Sequence, residues 1–320
     1  MTSSPFRYLS ARMTFGASVV LSGLLMSGPP VGHHNNVDER FADWLTGFRA
    51  EALKAGITAK TFDRAMAGVT PDLDVVSSDQ NQPEFVKPVW VYINGALSDK
   101  RVARGKLLLV ENKVLLDKLE KAYGVDRNTV VAIWGLESNF GDFMGSQRVV
   151  RSLATLAYEG RRKEYGHSQL IAALKIIQAG DVGPEGLLGS WAGAMGQTQF
   201  IPTTYLAHAV DFDGDGKRNI WTSRADTLGS TAHYLEVSGW QTGATWGYEV
   251  TTPAGFDYAQ ADMAVRKSVE DWRKLGIKRV NGKPFAGQDV GASGAIFLPA
   301  GHKGPAFLVL NNFKTILSYN

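Results

Sequence analysis

Glu137 stands where an ordinary amphipathic helix would place a core residue. Counting from Val130, the positions three, four and seven residues on are Ile133, Trp134 and Glu137, which share one helical face. Asp126 or Asn128 can cap the start of that run. Ser138-Asn139-Phe140-Gly141 reads as its stop, with Gly141 able to take positive φ. Glu137 therefore falls in the last turn, on the buried stripe. Desolvation and the negative end of the helix dipole both disfavour the ionised carboxylate there, so a raised pKa is predicted. A carboxyl group that keeps its proton near neutrality can act as a general acid. The competing reading is a structural glutamate that reaches past the core to a backbone amide or an arginine.

A second stretch combines close backbone approach with neutral polar groups: Gly189-Ser190-Trp191-Ala192-Gly193-Ala194-Met195-Gly196-Gln197-Thr198-Gln199-Phe200-Ile201-Pro202. Its small residues admit another chain near the backbone, while Ser190, Gln197 and Gln199 offer donors and acceptors without charge. Such a surface suits a neutral polymer rich in hydroxyl and amide groups. Tight helix packing through Gly193 and Gly196 is the alternative. A third stretch, Asp211-Phe212-Asp213-Gly214-Asp215-Gly216-Lys217, sets three carboxylates at alternate positions, with glycine at the sixth place of an EF-hand-like loop. Hard oxygen ligands at this spacing indicate calcium. The twelfth position is Thr222 instead of the usual glutamate, and Asp226, four residues on, can close a longer loop. A solvated acidic turn is the alternative. Zinc and redox metals are not indicated, because cysteine is absent and the six histidines are scattered.

These groups need a scaffold, and most of it reads as helix. Phe41 to Met66 gives two helices joined at Gly56, the second capped by Thr58 with Thr61. Thr70 to Pro83 is expected to be a surface loop. Pro88 to Leu97 and Leu107 to Tyr123 are helical. Leu170, Ala173, Leu174 and Ile177 mark a core helix capped by Ser168 and stopped at Gly180. A helix is expected over Ala261 to Leu275, followed by strands at Ala295 to Leu298 and Phe307 to Leu310.

With 320 residues, 44% hydrophobic and 20% charged, the chain can bury a substantial core in two or three subdomains. Its net charge of +3 argues against a nucleic-acid binder driven by bulk charge. The first thirty residues hold Arg7 and Arg12, no acid, and an apolar run from Phe15 to Met26, which is a secretory pattern too short to span a bilayer. With no cysteine, neither a lipoprotein attachment nor a disulfide is expected, and an exported, periplasmic protein without a lipid anchor fits.

Taken in order, Glu137-Ser138-Asn139-Phe140-Gly141, the Gly189 to Gly196 block with Gln199-Phe200-Ile201-Pro202, and the Asp211 to Gly216 loop resemble the MltB-type lytic murein transglycosylases, and the likeness extends from Phe41 to Tyr319. The resemblance implies an α+β, mainly α fold: a lysozyme-like helical core, an additional helical domain and a small β domain. With the export segment at 1–30, the chain then divides into a helical domain at 37–125, the catalytic core with its calcium loop at 126–250, and a small α/β region at 251–320. Part of the helical domain is then expected beyond Asn320. The resemblance further implies Glu137 as the one catalytic acid and base, with Ser190 and Gln199 lining the sugar sites. Tyr92, Arg161, Arg162, Tyr165 and Tyr234 fall where the family places groove residues. Calcium would be held by Asp211, Asp213, Asp215, the carbonyl of Lys217, and Asp226, with no organic cofactor. The implied partner is the peptidoglycan glycan strand, and a cell-wall synthesis complex is a further candidate partner. The implied reaction cleaves the bond between N-acetylmuramic acid and N-acetylglucosamine and leaves 1,6-anhydromuramic ends. A hydrolytic muramidase would need a second carboxylate, for which Asp142 and Glu159 are candidates. A non-catalytic wall-binding or structural protein would need no buried acid.

Overall fold

A computed structural model describes residues 34–80, 89–159 and 161–319. The export segment expected over 1–30 lies outside the described residues. Helix α1 (His34–Lys54) turns at Gly56 (φ 90°) into α2 (Ala59–Met66), where Thr58 caps by accepting from the Thr61 amide at 3.2 Å. Phe41, Phe48 and Ala52 lie on one stripe of α1 and are buried, as the spacing requires.

The loop expected from Thr70 to Pro83 contains a helix instead, α3 (Leu73–Gln80). Its Val75 joins the core and Asp79 is only 1% exposed, so long-range packing overrides a locally polar composition. Helix α4 (Val89–Ala96) follows. Tyr92 falls on it, and its side chain lies outside the described residues. The helical stretch ending at Tyr123 is two helices, α5 (Asp99–Glu111) and α6 (Lys113–Tyr123), divided at Asn112. That side chain is buried, donates to the Leu108 carbonyl at 2.8 Å and accepts from Arg224 at 3.0 Å, which pins the break.

Helix α7 (Arg127–Ser138) carries Glu137, and two short strands follow its exit, β1 (Gln147–Arg148) pairing with β2 (Leu188–Gly189). Helices α8 (Val149–Tyr158) and α9 (Lys163–Ala179) pack as a hairpin between them. Helix α9 begins five residues before the expected cap. Ser168 sits inside it and bonds the Tyr165 carbonyl, while Gly180 ends it at φ 87° as expected. Helices α10 (Pro202–His208) and α11 (Arg224–Val237) complete the helical part.

The β region begins at Gly247, before the boundary expected at 251. It comprises β3 (Gly247–Thr251), β4 (Lys267–Ser268), β5 (Lys278–Arg279), β6 (Ser293–Phe297) and β7 (Ala306–Val309), in the order β4-β6-β7-β3-β5 with antiparallel neighbours. The helix expected over Ala261 to Leu275 shrinks to α12 (Val269–Lys274), because Ser268 caps at its start and β4 occupies the residues before it. Helix α13 (Asn311–Leu317) leaves the sheet and returns to the helical part.

Three cores result. One joins α1–α3 to α8 and α9. A second joins Leu108 and Leu116 to Val130, Trp134 and Leu228, and a third lies under the sheet around Trp272 and Ile296. The second core runs across residue 125, so α5 and α6 share their interior with α7 instead of closing off a separate unit.

Candidate active site

Glu137 is held at the end of a helix whose both ends are fixed. Asp126 accepts from the Thr129 amide at 3.1 Å, capping the start. At the exit, Asn139, Phe140 and Gly141 take φ of 50°, 61° and 90°, three successive left-handed residues of which only the glycine is free of steric cost. The conformation is held from several sides. The Phe140 amide reaches back to the Trp134 carbonyl at 3.1 Å, and the Phe140 ring meets Trp134 edge-on at 5.5 Å. Asn139 accepts from Arg101 at 3.3 Å and donates to Asp142 at 3.0 Å. A Cβ on Gly135 would lie 2.7 Å from the Phe140 ring, which explains a glycine inside the helix.

The glycine-rich stretch folds against this exit. Gln197 is buried and accepts from the Trp134 indole at 2.8 Å, while its amide nitrogen donates to the Trp221 carbonyl at 3.0 Å. Its own carbonyl accepts from Ser138 Oγ at 2.8 Å. Gln197 is therefore an internal strut and not one of the groove donors the sequence suggested. Gly193 and Gly196 lie outside any helix, so the helix-packing alternative does not hold as stated, but both sit tight against the Leu153 and Ile220 side chains, which a Cβ would meet at 2.8 and 2.7 Å.

Within this frame Glu137 is half-buried, and desolvation raises its pKa from the ordinary 4.5 to about 7. Desolvation by burial is the cause, as the buried stripe of α7 requires. Tyr319 lies within the electrostatic reach of Glu137, and burial pushes its phenol upward in pKa, so it is a neutral hydroxyl group. That hydroxyl donates to the Thr198 carbonyl at 3.1 Å, and the ring meets Tyr234 at 5.0 Å and Phe200 at 5.6 Å. Tyr234 donates its hydroxyl to the Ser318 carbonyl and lies edge-on to His208 at 4.9 Å. Tyr319 was not singled out by sequence reasoning; the one signal for it is an aromatic residue closing the last apolar helix.

The remaining groove candidates form a second group at the other end of the glycine-rich stretch. Arg162 stacks over Tyr165 at 5.2 Å and over Trp191 at 5.4 Å, and Tyr165 donates to the Ala192 carbonyl at 2.8 Å. Both arginines hang on Asp79. Its carboxylate accepts from the Arg161 amide at 2.9 Å and from Arg162 Nε at 3.0 Å, and its carbonyl accepts from the Arg161 guanidinium at 3.2 Å. Asp79 and Trp191 are thus additional members that the sequence did not mark. Ser190 Oγ accepts from the Ala194 amide at 3.0 Å and closes the turn between the two groups. Gln199, at φ 53°, spends its amide nitrogen on the Met144 and Gly196 carbonyls at 3.1 and 2.9 Å.

Of the second-carboxylate candidates, Asp142 is tied to Arg104, which holds its carboxyl below the usual range, and Glu159 is an exposed C-cap of α8.

The acidic loop is built as a cage. Carboxylate oxygens of Asp211, Asp213, Asp215 and Asp226 lie within 4.8 Å of one another. Asp211 gathers the amides of Gly214, Asp215 and Gly216 at 2.7, 3.1 and 2.8 Å, which curls the loop, and Lys217 donates its amide to Asp215 at 2.8 Å. Asp226 is 0% exposed and takes the amides of Phe212 and Asn219, both at 2.8 Å, from the two sides of the loop. Thr222 is engaged with Asn219 at 2.6 Å and stands outside this carboxylate group. Four carboxylates so close repel one another, and a hard divalent cation relieves that repulsion with the oxygen ligands it prefers. The residues present therefore fit calcium.

A family model described as the transglycosylase SLT domain matches residues 40–320. Membrane-bound lytic murein transglycosylase B of Escherichia coli (strain K12) is 36% identical over 163 residues, a match covering 50% of this chain and 45% of that protein, so under half its length is spanned. Among solved structures, SltB3 of Pseudomonas aeruginosa in complex with NAG-NAM-pentapeptide superposes with a TM-score of 0.85 at 56% identity, covering 88% of this chain and 75% of that one. The same protein is also solved with NAG-anhNAM-pentapeptide. The Escherichia coli lytic transglycosylase Slt35 in complex with calcium superposes with a TM-score of 0.71 at 26% identity, covering 92% of this chain and 93% of that one. The helical core shared with these structures is lysozyme-like. Their agreement with a family match that takes in the acid, the glycine-rich stretch and the acidic loop leads to one conclusion: the chain belongs to the transglycosylase SLT domain family, and within it to the MltB-type lytic transglycosylases.

Proposed function

We propose that the protein cleaves the β-1,4 bond between N-acetylmuramic acid and N-acetylglucosamine in peptidoglycan and closes a 1,6-anhydro ring on the muramic acid. One observation carries this reading: a half-buried carboxyl group whose pKa is raised to about 7, at the end of a fixed helix. Protonated Glu137 donates to the glycosidic oxygen as the bond from C1 to that oxygen breaks. The resulting carboxylate takes the proton from the 6-hydroxyl of the same muramic acid, whose oxygen bonds to C1, and no water is consumed. The Arg104 partner of Asp142 and the exposure of Glu159 favour one carboxylate over two. The relative solved with NAG-anhNAM-pentapeptide agrees with such a product.

Arg161, Arg162, Tyr165, Ser190, Gln199, Tyr234 and Tyr92 are proposed to line the glycan groove. Calcium is proposed to sit among Asp211, Asp213, Asp215, the Lys217 carbonyl and Asp226, remote in sequence from Glu137 and structural in role. A wall substrate supports a periplasmic location. No helix among the described residues is long and apolar enough to cross a membrane.

Mass analysis of muropeptides released from purified sacculi tests the reading. Anhydro ends, lighter by one water than lysozyme products, are expected. Reducing ends throughout would replace the transglycosylase with a hydrolase.

A further inference from the structure

A cavity of about 950 Å³ opens between α7 and the sheet region, apart from the groups gathered around Glu137. Its walls come from the Asp126 to Leu136 side of α7, the segment from Trp240 to Trp246 after α11, β3, β5, and Ile316 of α13. The volume lies toward the upper end of the ~300–1,000 Å³ seen for small-molecule sites, room for an oligomer more than for one ring.

The chemistry of the lining is selective. Every charged residue in it is already engaged within the protein. Glu120 takes the Arg127 amide at 2.9 Å, and Asp126 caps α7 and accepts from Asn128 at 3.2 Å. Asp289 accepts from the Tyr248 hydroxyl. Arg279 donates to the Pro284 carbonyl at 2.8 Å while stacking over Tyr248 at 4.7 Å. Beside these charges the lining offers a ligand the indoles of Trp240 and Trp246, the hydroxyl of Thr242 and the amide of Gln288, while the Thr245 hydroxyl donates to the Gly247 carbonyl at 3.4 Å. Trp246 is 39% exposed, so part of its indole can be reached from solvent. Flat aromatic faces match the C–H faces of pyranose rings, and hydroxyls and amides match sugar hydroxyl and acetamido groups. Three carboxylates in the lining, Glu120, Asp126 and Asp289, outnumber its one cation, Arg279, which weighs against a phosphate or carboxylate ligand.

We infer that this cleft is a second saccharide-binding site, taking an uncharged stretch of N-acetylated aminosugar chain. The inference deepens the proposed function, since the ligand class is that of the glycan strand. Two elements link the cleft to the acid: Leu136, which lines it, is the neighbour of Glu137, and α13 puts Ile316 in the cleft and Tyr319 near Glu137. A strand held there would keep the enzyme on an insoluble polymer between cleavage events.

The probe is chitotetraose, titrated into the whole protein while the indole N–H resonances of Trp240 and Trp246 are followed. Saturable shifts of both are expected. Gln288→Ala, an exposed position outside the cores, and Trp246→Ala should each weaken that binding by about tenfold. Both variants should slow digestion of sacculi and leave turnover of short soluble muropeptides unchanged. Indoles unmoved by millimolar-scale sugar, or moved equally by a free wall stem peptide, would overturn the inference. The two readings fail separately: indole shifts without anhydro products would sink only the lytic one, and anhydro products without indole shifts only the cleft.

Discussion

Trp134 donates its indole N–H to Oε1 of Gln197 at 2.8 Å, joining residues 63 positions apart less than one helical turn before Glu137. The same amide donates to the Trp221 carbonyl, so Gln197→Leu strands a buried donor and a buried acceptor together. A loss of ~1–3 kcal/mol per group left unpaired is expected, read from chemical denaturation. Lytic activity should fall more than stability alone explains, because the exit of α7 loses its support. Full activity in a folded Gln197→Leu protein would show that the strut does not position the acid.

Glu137→Gln removes the proton that titrates and keeps the shape. Turnover of sacculi should vanish while the protein stays folded. Stability should rise at alkaline pH. The folded pKa is raised from 4.5 to about 7, so the native state binds this proton more tightly than the unfolded chain does. Wild-type stability is therefore lost as pH climbs from the lower value to the higher. The glutamine escapes that loss, a gain of up to ~3 kcal/mol near pH 8 that disappears near pH 4. Equal melting curves for the two proteins at both pH values would show that Glu137 is not desolvated.

The rate should follow the protonated fraction of Glu137. Initial rates of sacculus solubilisation are expected to decline above about pH 7, approaching tenfold per pH unit well beyond it. A rate still climbing through pH 9 would assign the titration to another group.

Asp79→Ala leaves the Arg161 amide and the Arg162 guanidinium without their buried acceptor. Breaking a buried pair this way costs ~3–5 kcal/mol, and Arg162 should leave its stack on Trp191. Asp79→Asn keeps one acceptor and should retain most of the stability. Thermal melts of both variants, with affinity for muropeptides, separate the fold's need for Asp79 from the groove's.

Calcium should raise the melting temperature as its free concentration rises, by RT ln(1 + [Ca]/Kd), without entering the chemistry. Asp213→Ala should abolish that dependence. Asp226→Ala should destabilise the protein even in chelator, because its carboxylate holds the Phe212 and Asn219 amides in a site with 0% exposure. Melting curves identical in chelator and in millimolar-scale calcium would remove the metal.

By itself the sequence determined what is encoded within a turn or two of chain. The cap at Asp126, the face shared by Val130, Ile133, Trp134 and Glu137, the stop at Gly180 and the alternating carboxylates from Asp211 are local patterns. Helix periodicity and capping act between residues three or four apart, so a single stretch suffices to read them. Only the tertiary structure decided that Asp79 lies on the buried side of a helix, paired with two arginines, and that Gln197 is a strut instead of a groove donor. It alone brought Tyr319, from the far end of the sheet region, to the neighbourhood of Glu137. It also decided why the acid is perturbed. Desolvation is set by whatever packs around a side chain, and Tyr319, within electrostatic reach of Glu137, comes from far along the chain, which no local pattern records.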